Sequence, residues 1–190
     1  MTLIAPLNVP QPVKLRIEDY ELLLRAGTFS HLAKTELIEG VIVEMNSQYR
    51  RHSFAKNELT YRLRRALEAL GSAYSAQSET TVALPPYGAP EPDVVLTSAP
   101  QGDGYVPLES VALLIEVSDS TISYDLGTKA AMYAMHGIPE YWVVDLPAAQ
   151  IHQLWQPMEG SYQNSRSVAV GEPLQSVTLA DLTIETNGIL

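Results

Sequence analysis

An α/β (α+β) domain, with a central mixed β-sheet flanked by helices, is the fold class that this sequence predicts, and three observations carry the prediction. Beyond a short first helix, apolar runs bounded by turn residues alternate with amphipathic stretches in the order β, β, α, β, β, β, α, β. A helical stretch from Asp125 separates the apolar run holding Glu116 from the one holding Tyr141, and strand–helix–strand usually means a crossover joining parallel strands. With 46% hydrophobic and 18% charged residues, the 190-residue chain can fill one core. Residues 1–190 therefore read as a single domain, with 1–16 as an N-terminal extension and 151–190 as a β-rich C-terminal part.

Each element has a local reason. Ile17 to Ala26 reads as a helix with Leu22, Leu23 and Leu24 available for burial and Gly27 as its stop. Leu37 to Met45 reads as two short strands around the turn Glu39-Gly40. Arg50 to Leu70 is the clearest helix, with Ala55, Leu59, Leu63, Ala66, Leu67 and Leu70 on one side and Gly71 behind it; His52 lies on the same side. Thr80 to Leu84 reads as a strand, followed by a Pro and Gly loop and a strand from Asp93 to Thr97. The loop Ser98 to Leu108 precedes the strand bearing Glu116. A helix from about Asp125 to His136 is closed by Gly137 and Pro139, and Tyr141 to Val144 is a core strand. Beyond Ile151, short β-like runs alternate with turns, the pattern of β-hairpins at a sheet edge.

Composition narrows the chemistry. No cysteine is present, which removes disulfides, thiolate catalysis and Cys-based zinc or iron–sulfur sites. His31, His52, His136 and His152 are scattered, so a metal site would use oxygen ligands, which suit Mg²⁺ or Mn²⁺. No apolar run reaches the roughly 18 residues of a membrane span, and the start has neither a basic n-region nor a long apolar stretch. The expectation is a soluble, cytoplasmic protein without membrane contact.

The net charge of −10 argues against a protein that coats nucleic acid nonspecifically. Yet half of the 12 Lys and Arg lie between positions 50 and 65: Arg50, Arg51, Lys56, Arg62, Arg64 and Arg65. That helix could be a solvated charged surface or a nucleic-acid-binding one, with Arg50, Arg51, Lys56, Arg62 and Arg65 as the contacts.

The most telling residues are two acids. Glu116 interrupts the apolar run Leu113-Leu114-Ile115-Glu116-Val117, and Asp93, after Pro92, opens the run Val94-Val95-Leu96. A carboxylate in a buried strand costs several kcal/mol, in the range of roughly 3–5, unless a cation or hydrogen bonds compensate it. Asp93 could be a turn residue bonding its own backbone, and one Arg or Lys could neutralise Glu116. Taken as a pair on successive strands, the two point to a shared divalent metal. On the following helix Asp125, Lys129 and Tyr133 recur at i, i+4 and i+8 with Leu126 and Ala130. Lys129 then either covers apolar surface with its stem or aims its amine at Glu116.

These residues resemble the Uma2 family of restriction endonucleases, a branch of the PD-(D/E)XK nuclease superfamily. The likeness rests on Pro92-Asp93, Ile115-Glu116-Val117-Ser118, Asp125 with Lys129 and Tyr133, and Gly137 to Asp145, with Glu36-Leu37-Ile38-Glu39-Gly40 and His52 upstream. It implies a restriction-endonuclease-like fold and a metal-dependent endonuclease. Asp93, Glu116 and the Val117 backbone carbonyl would hold Mg²⁺ or Mn²⁺, and Lys129, Glu36 and His52 would complete the catalytic set. The substrate would be nucleic acid, DNA ahead of RNA, and the resemblance leaves room for a homodimer. The superfamily's lysine two residues after the acid is Ser118 here. Lys129 is the replacement, expected within about 5 Å of Glu116. Two other functions stay open: a catalytically silent nuclease-fold binding or regulatory module, and a Mg²⁺-dependent hydrolase of a small phosphorylated compound.

Overall fold

A computed structural model describes residues 11–190. Of the expected N-terminal extension, residues 1–10 lie outside the described residues. Residues 11–16 form no helix or strand but are tied down by the hydrogen bond from the Leu15 N–H to the Gly40 carbonyl.

The chain runs α1 (Ile17–Arg25), β1 (Thr35–Ile38), β2 (Val41–Glu44), α2 (Arg50–Ala69), β3 (Ser75–Ser78), β4 (Val82–Ala83), β5 (Val94–Thr97), β6 (Val106–Pro107) and β7 (Val111–Ser118). Then come α3 (Ile122–Tyr124), a π-helical turn (Asp125–Lys129), α4 (Ala130–Met135), β8 (Glu140–Asp145), β9 (Gln150–Met158), β10 (Ser161–Ala169), β11 (Leu174–Gln175) and β12 (Thr183–Ile184).

Six strands form the central sheet in the order β10-β9-β8-β7-β5-β3. Only β7 and β8 are parallel, as the helix between them requires; every other pair is antiparallel, so the sheet is mixed. One face takes Ala55, Leu59, Leu63 and Leu67 of α2 against Leu113, Ile115 and Val117 of β7, and Leu182, Ile184 and Ile189 of the C-terminal segment close that layer. The other face takes Ala130, Met132 and Tyr133 against Leu114, Tyr141 and Val143. The β-hairpin at the edge, β9 with β10, matches the reading of the C-terminal part.

Three local readings are corrected. The stretch Thr80 to Leu84 does not join the sheet: only Val82–Ala83 is a strand, paired in parallel with β6 inside the expected loop. The sheet edge is instead β3, whose sequence Ser-Ala-Gln-Ser carries no apolar alternation because only Ala76 is buried. The second amphipathic helix begins before Asp125, with α3, and contains a π turn that buries both Asp125 and Lys129.

Candidate active site

Sheet alternation brings the two acids together. Val95 and Leu114 belong to one face and Val94 and Ile115 to the other, so Asp93 and Glu116, two residues on from Val95 and Leu114, fall on the same side. The pairing of Val94 with Ile115, extended by one step, sets Asp93 opposite Glu116, and the Val117 N–H donates to Asp93 Oδ2 at 2.8 Å. Both carboxylates are buried at the wall of a pocket of about 830 Å³.

Lys129 comes from the π turn. Its Nζ donates to Glu116 Oε1 at 2.7 Å, inside the reach expected from the sequence, and lies 3.8 Å from Glu36 Oε2. Tyr133, one helical turn on, donates its hydroxyl to the same Oε1 at 2.9 Å. Among the described residues no donor is placed on Glu116 Oε2. Glu36 enters from the separate β1–β2 hairpin, and neither of its buried oxygens accepts a hydrogen bond; Lys34 Nζ is 3.8 Å from Oε1 and pairs more closely with Glu91, at 2.9 Å.

Asp93 is held on several sides. His52 Nε2 from α2 lies 3.2 Å from Oδ2, Gln48 Nε2 donates to Oδ1 at 3.1 Å, and Lys56 Nζ is 4.0 Å from Oδ1 while donating to Gln48 and Glu79. Ser118, at the position where the sequence resemblance leads to the expectation of a lysine, is fully buried and shares a hydrogen bond with Thr121, which donates to Asp125 at 2.7 Å. That hydroxyl relay fixes the start of the helix that delivers Lys129.

These surroundings separate the two acids. Burial pushes Glu116 up to about 8, with the charges of Asp93, Asp125 and Glu36 adding to it and Lys129 opposing. Burial also raises Glu36 and Asp125, against the pull of Lys129. For Asp93 burial acts upward too, but His52, the Val117 N–H and Lys56 outweigh it and its carboxyl is lowered. Burial pulls Lys129 down, but the charges of Glu116 and Glu36 outweigh it and raise it above the usual lysine range, so the side chain is an ammonium.

Among the described residues no group of three or more Asp, Glu or His is placed to surround a metal ion. The oxygen set still fits magnesium, which is often held by one or two carboxylates and fills its shell with water and phosphate oxygens. Asp93 and Glu116 are two buried acids on one wall, and Glu36 adds two oxygens without a hydrogen-bonding partner.

The cations of α2 do not form one surface. Lys56 points inward, into the Asp93 cluster, and Arg62 donates to the backbone carbonyls of Glu185 and Asn187 at 2.8 and 2.7 Å. Arg64 donates to the Ala76 carbonyl, while Arg50 and Arg65 remain on the exposed side and Arg51 approaches Asp119 at 3.6 Å. The sequence reading missed Gln48 and Lys34, which lie in polar connecting segments without any periodic pattern to expose them.

The family model Uma2, described as "Putative restriction endonuclease", matches residues 17–187. Among solved structures, a putative nuclease of the DUF820 group from Anabaena variabilis superposes with a TM-score of 0.62 at 14% identity, over 85% of this chain and 94% of that one. This likeness shows the shared fold. No curated protein matches.

Proposed function

Because the chain belongs to the Uma2 family, we propose that it is a Mg²⁺- or Mn²⁺-dependent endonuclease that hydrolyses phosphodiester bonds of DNA. The observation that carries this reading is the Lys129–Glu116 pair set beside Asp93 on one pocket wall. Asp93, Glu116 and the Val117 carbonyl would hold the metal, which when bound would polarise the scissile phosphate and acidify a water. The protein's own groups divide the remaining work. Lys129, held as an ammonium, offsets negative charge that builds on the phosphate. Tyr133 fixes the Glu116 oxygen that accepts from that amine, Glu36 faces the amine at 3.8 Å, and His52 with Gln48 orients Asp93. Arg50, Arg51 and Arg65 are the exposed α2 cations available to DNA phosphates.

The test is a nicking assay on supercoiled and linear DNA with Mg²⁺ or Mn²⁺, run beside Asp93→Ala, together with calorimetric titration of Mn²⁺. Metal-dependent cleavage lost in Asp93→Ala, and Mn²⁺ binding lost in Asp93→Ala and Glu116→Ala, supports the reading. Cleavage that persists in the variant, or no cleavage with either ion, overturns it.

One feature favours a second substrate class. Glu44, Glu79 and Glu91 also line the pocket, and Glu79 and Glu91 already occupy Lys56 and Lys34, which leaves few cations there to hold a long polyanion and suits a small phosphorylated compound held through a metal. Phosphate release from such compounds in the same assay, without nicking, would select that alternative.

A further inference from the structure

Three aromatic rings stand in solvent along the outer side of α2 and at its start. Tyr49 is 77%, Phe54 50% and Tyr61 56% exposed, while the opposite side of the same helix is packed into the core through Ala55, Leu59, Leu63 and Leu67. Arg50, Phe54, Tyr61 and Arg65 recur at i, i+4, i+11 and i+15, which places them along one helical face. The Arg65 guanidinium carbon lies 5.7 Å from the centre of the Tyr61 ring, close enough for a cation–π contact. Tyr49, which caps the N-terminus of α2, also lines the carboxylate pocket. The row of rings and arginines therefore begins at the mouth of the proposed active site.

Isolated surface aromatics need no explanation, but two in line with arginines, with a third at the head of the same helix, on a chain of net charge −10 do. Arginines complement phosphates. The rings decide which form of nucleic acid fits, because a duplex hides the faces of its bases in its own stack and an unpaired strand presents them. Two acids flank the row: Glu58, between Phe54 and Tyr61, is paired with Arg62 at 3.2 Å, and Glu68 lies beyond Arg65 at the end away from the pocket.

We propose that the outer face of α2 binds an unpaired DNA strand, its bases stacked on Tyr49, Phe54 and Tyr61 and its phosphates set against Arg50 and Arg65, and leads that strand to the pocket of Asp93 and Glu116. This rests on the nuclease reading and names the substrate form: single-stranded DNA or an unpaired segment of a duplex. From Tyr49 to Tyr61 the helix advances about 18 Å, the length of about five stacked nucleotides at ~3.4 Å each.

The experiment measures binding apart from cleavage. Fluorescence anisotropy with the full chain in EDTA compares labelled oligo(dT) of about twelve nucleotides with a duplex of the same length, for the parent, Phe54→Ala/Tyr61→Ala, Tyr61→Phe and Arg65→Gln. The parent should prefer the single strand. The double variant should lose roughly tenfold or more of that affinity, as expected for lost base–aromatic stacking, with duplex binding nearly unchanged. Tyr61→Phe should bind like the parent, since the ring and not the hydroxyl makes the contact, and Arg65→Gln should reduce the salt slope for oligo(dT) by about 0.7. All three positions are on the surface, and matching melting curves establish that the variants are folded.

Equal affinity for the two DNA forms, or a double variant that binds oligo(dT) as the parent does, overturns the proposal. So does a dimer seen by light scattering that dissociates in the double variant, which would make the row a contact between copies of this chain. Stripe-dependent oligo(dT) binding without cleavage in Mg²⁺ or Mn²⁺ would remove the nuclease reading and leave the binding face. Cleavage of duplex DNA without single-strand preference would do the reverse.

Discussion

Lys129 and Glu116, 13 residues apart in the chain, meet at 2.7 Å inside the fold, and Glu36 stands 3.8 Å from the same ammonium. One lysine thus lies between two buried carboxylates. It reaches them because the π turn directs Lys129 back toward the end of β7. In the proposed nuclease this lysine replaces the one absent at Ser118.

Lys129→Ala should lower the rate of DNA cleavage by roughly a hundredfold or more, the usual cost of removing a group that stabilises developing charge. Mn²⁺ binding, followed by calorimetry, should survive, because the two acids remain. Lys129→Arg should rescue little, since the larger planar guanidinium does not fit a site this enclosed. An alanine variant that cleaves at the parental rate would return Lys129 to a purely structural role.

The carboxyl cluster predicts how stability depends on pH without metal. Glu116 is pushed up to about 8, and Glu36 and Asp125 are raised as well. A carboxyl with a folded-state pKa above its unfolded value holds its proton more tightly when folded. Its stabilising effect is complete below the unfolded value of about 4.3 and is lost as pH rises toward the folded one. Asp93, which is lowered, acts in the opposite sense: its contribution is present above about 3.9 and is lost on acidification below that. The melting temperature in EDTA should therefore fall between pH 5 and pH 8. Glu36→Gln should flatten that fall, and Mg²⁺ should restore stability mainly at pH 8. A melting temperature constant or rising over this range in EDTA would contradict the assignment.

Glu140 is a structural carboxylate of another kind. It is fully buried at the start of β8 and accepts hydrogen bonds from Trp142 Nε1, Gln153 Nε2, Ser176 Oγ and the Val177 and Thr178 N–H groups. No Lys or Arg pairs with it among the described residues. Five donors do the work of a counter-ion and fasten the segment after β11 to the sheet. Glu140→Ala should cost roughly 3–5 kcal/mol in urea unfolding, the range for stranding buried polar partners of a charge. It should also speed proteolysis near Val177. Parental unfolding would show that water replaces the missing acceptor.

Arg62 and Arg65 should separate in their effects, although the sequence groups them. Arg62 holds the carbonyls of Glu185 and Asn187, so Arg62→Ala should lower the melting temperature and loosen the C-terminal segment with little change in DNA affinity. Arg65→Ala should do the opposite. Equal losses of DNA binding in both would mean that Arg62 leaves its carbonyl partners to meet phosphate.

The sequence by itself determined the two long amphipathic stretches, the apolar strand around Glu116, the parallel pair on either side of the second helix and the edge hairpin. Each of these is written in neighbouring residues through a period of two or of about 3.6, with a turn or a glycine at its end. It could not reveal β3, because a polar edge strand is recruited by its partner β5 and by the packing of α2, not by its own side chains. Asp93, Glu116 and Lys129 were legible as chemistry out of place in apolar surroundings. What surrounds them was decided only by the tertiary structure. Gln48, His52 and Lys56 converge on Asp93 from a loop and a helix, and Glu36 arrives from a hairpin outside the sheet. The same holds for the division of the α2 cations into an inward lysine, two arginines bound to backbone carbonyls and three exposed arginines. A charge shows in the sequence that it is present; whether it meets water, a carbonyl or another charge depends on which distant segments the folded core brings beside it.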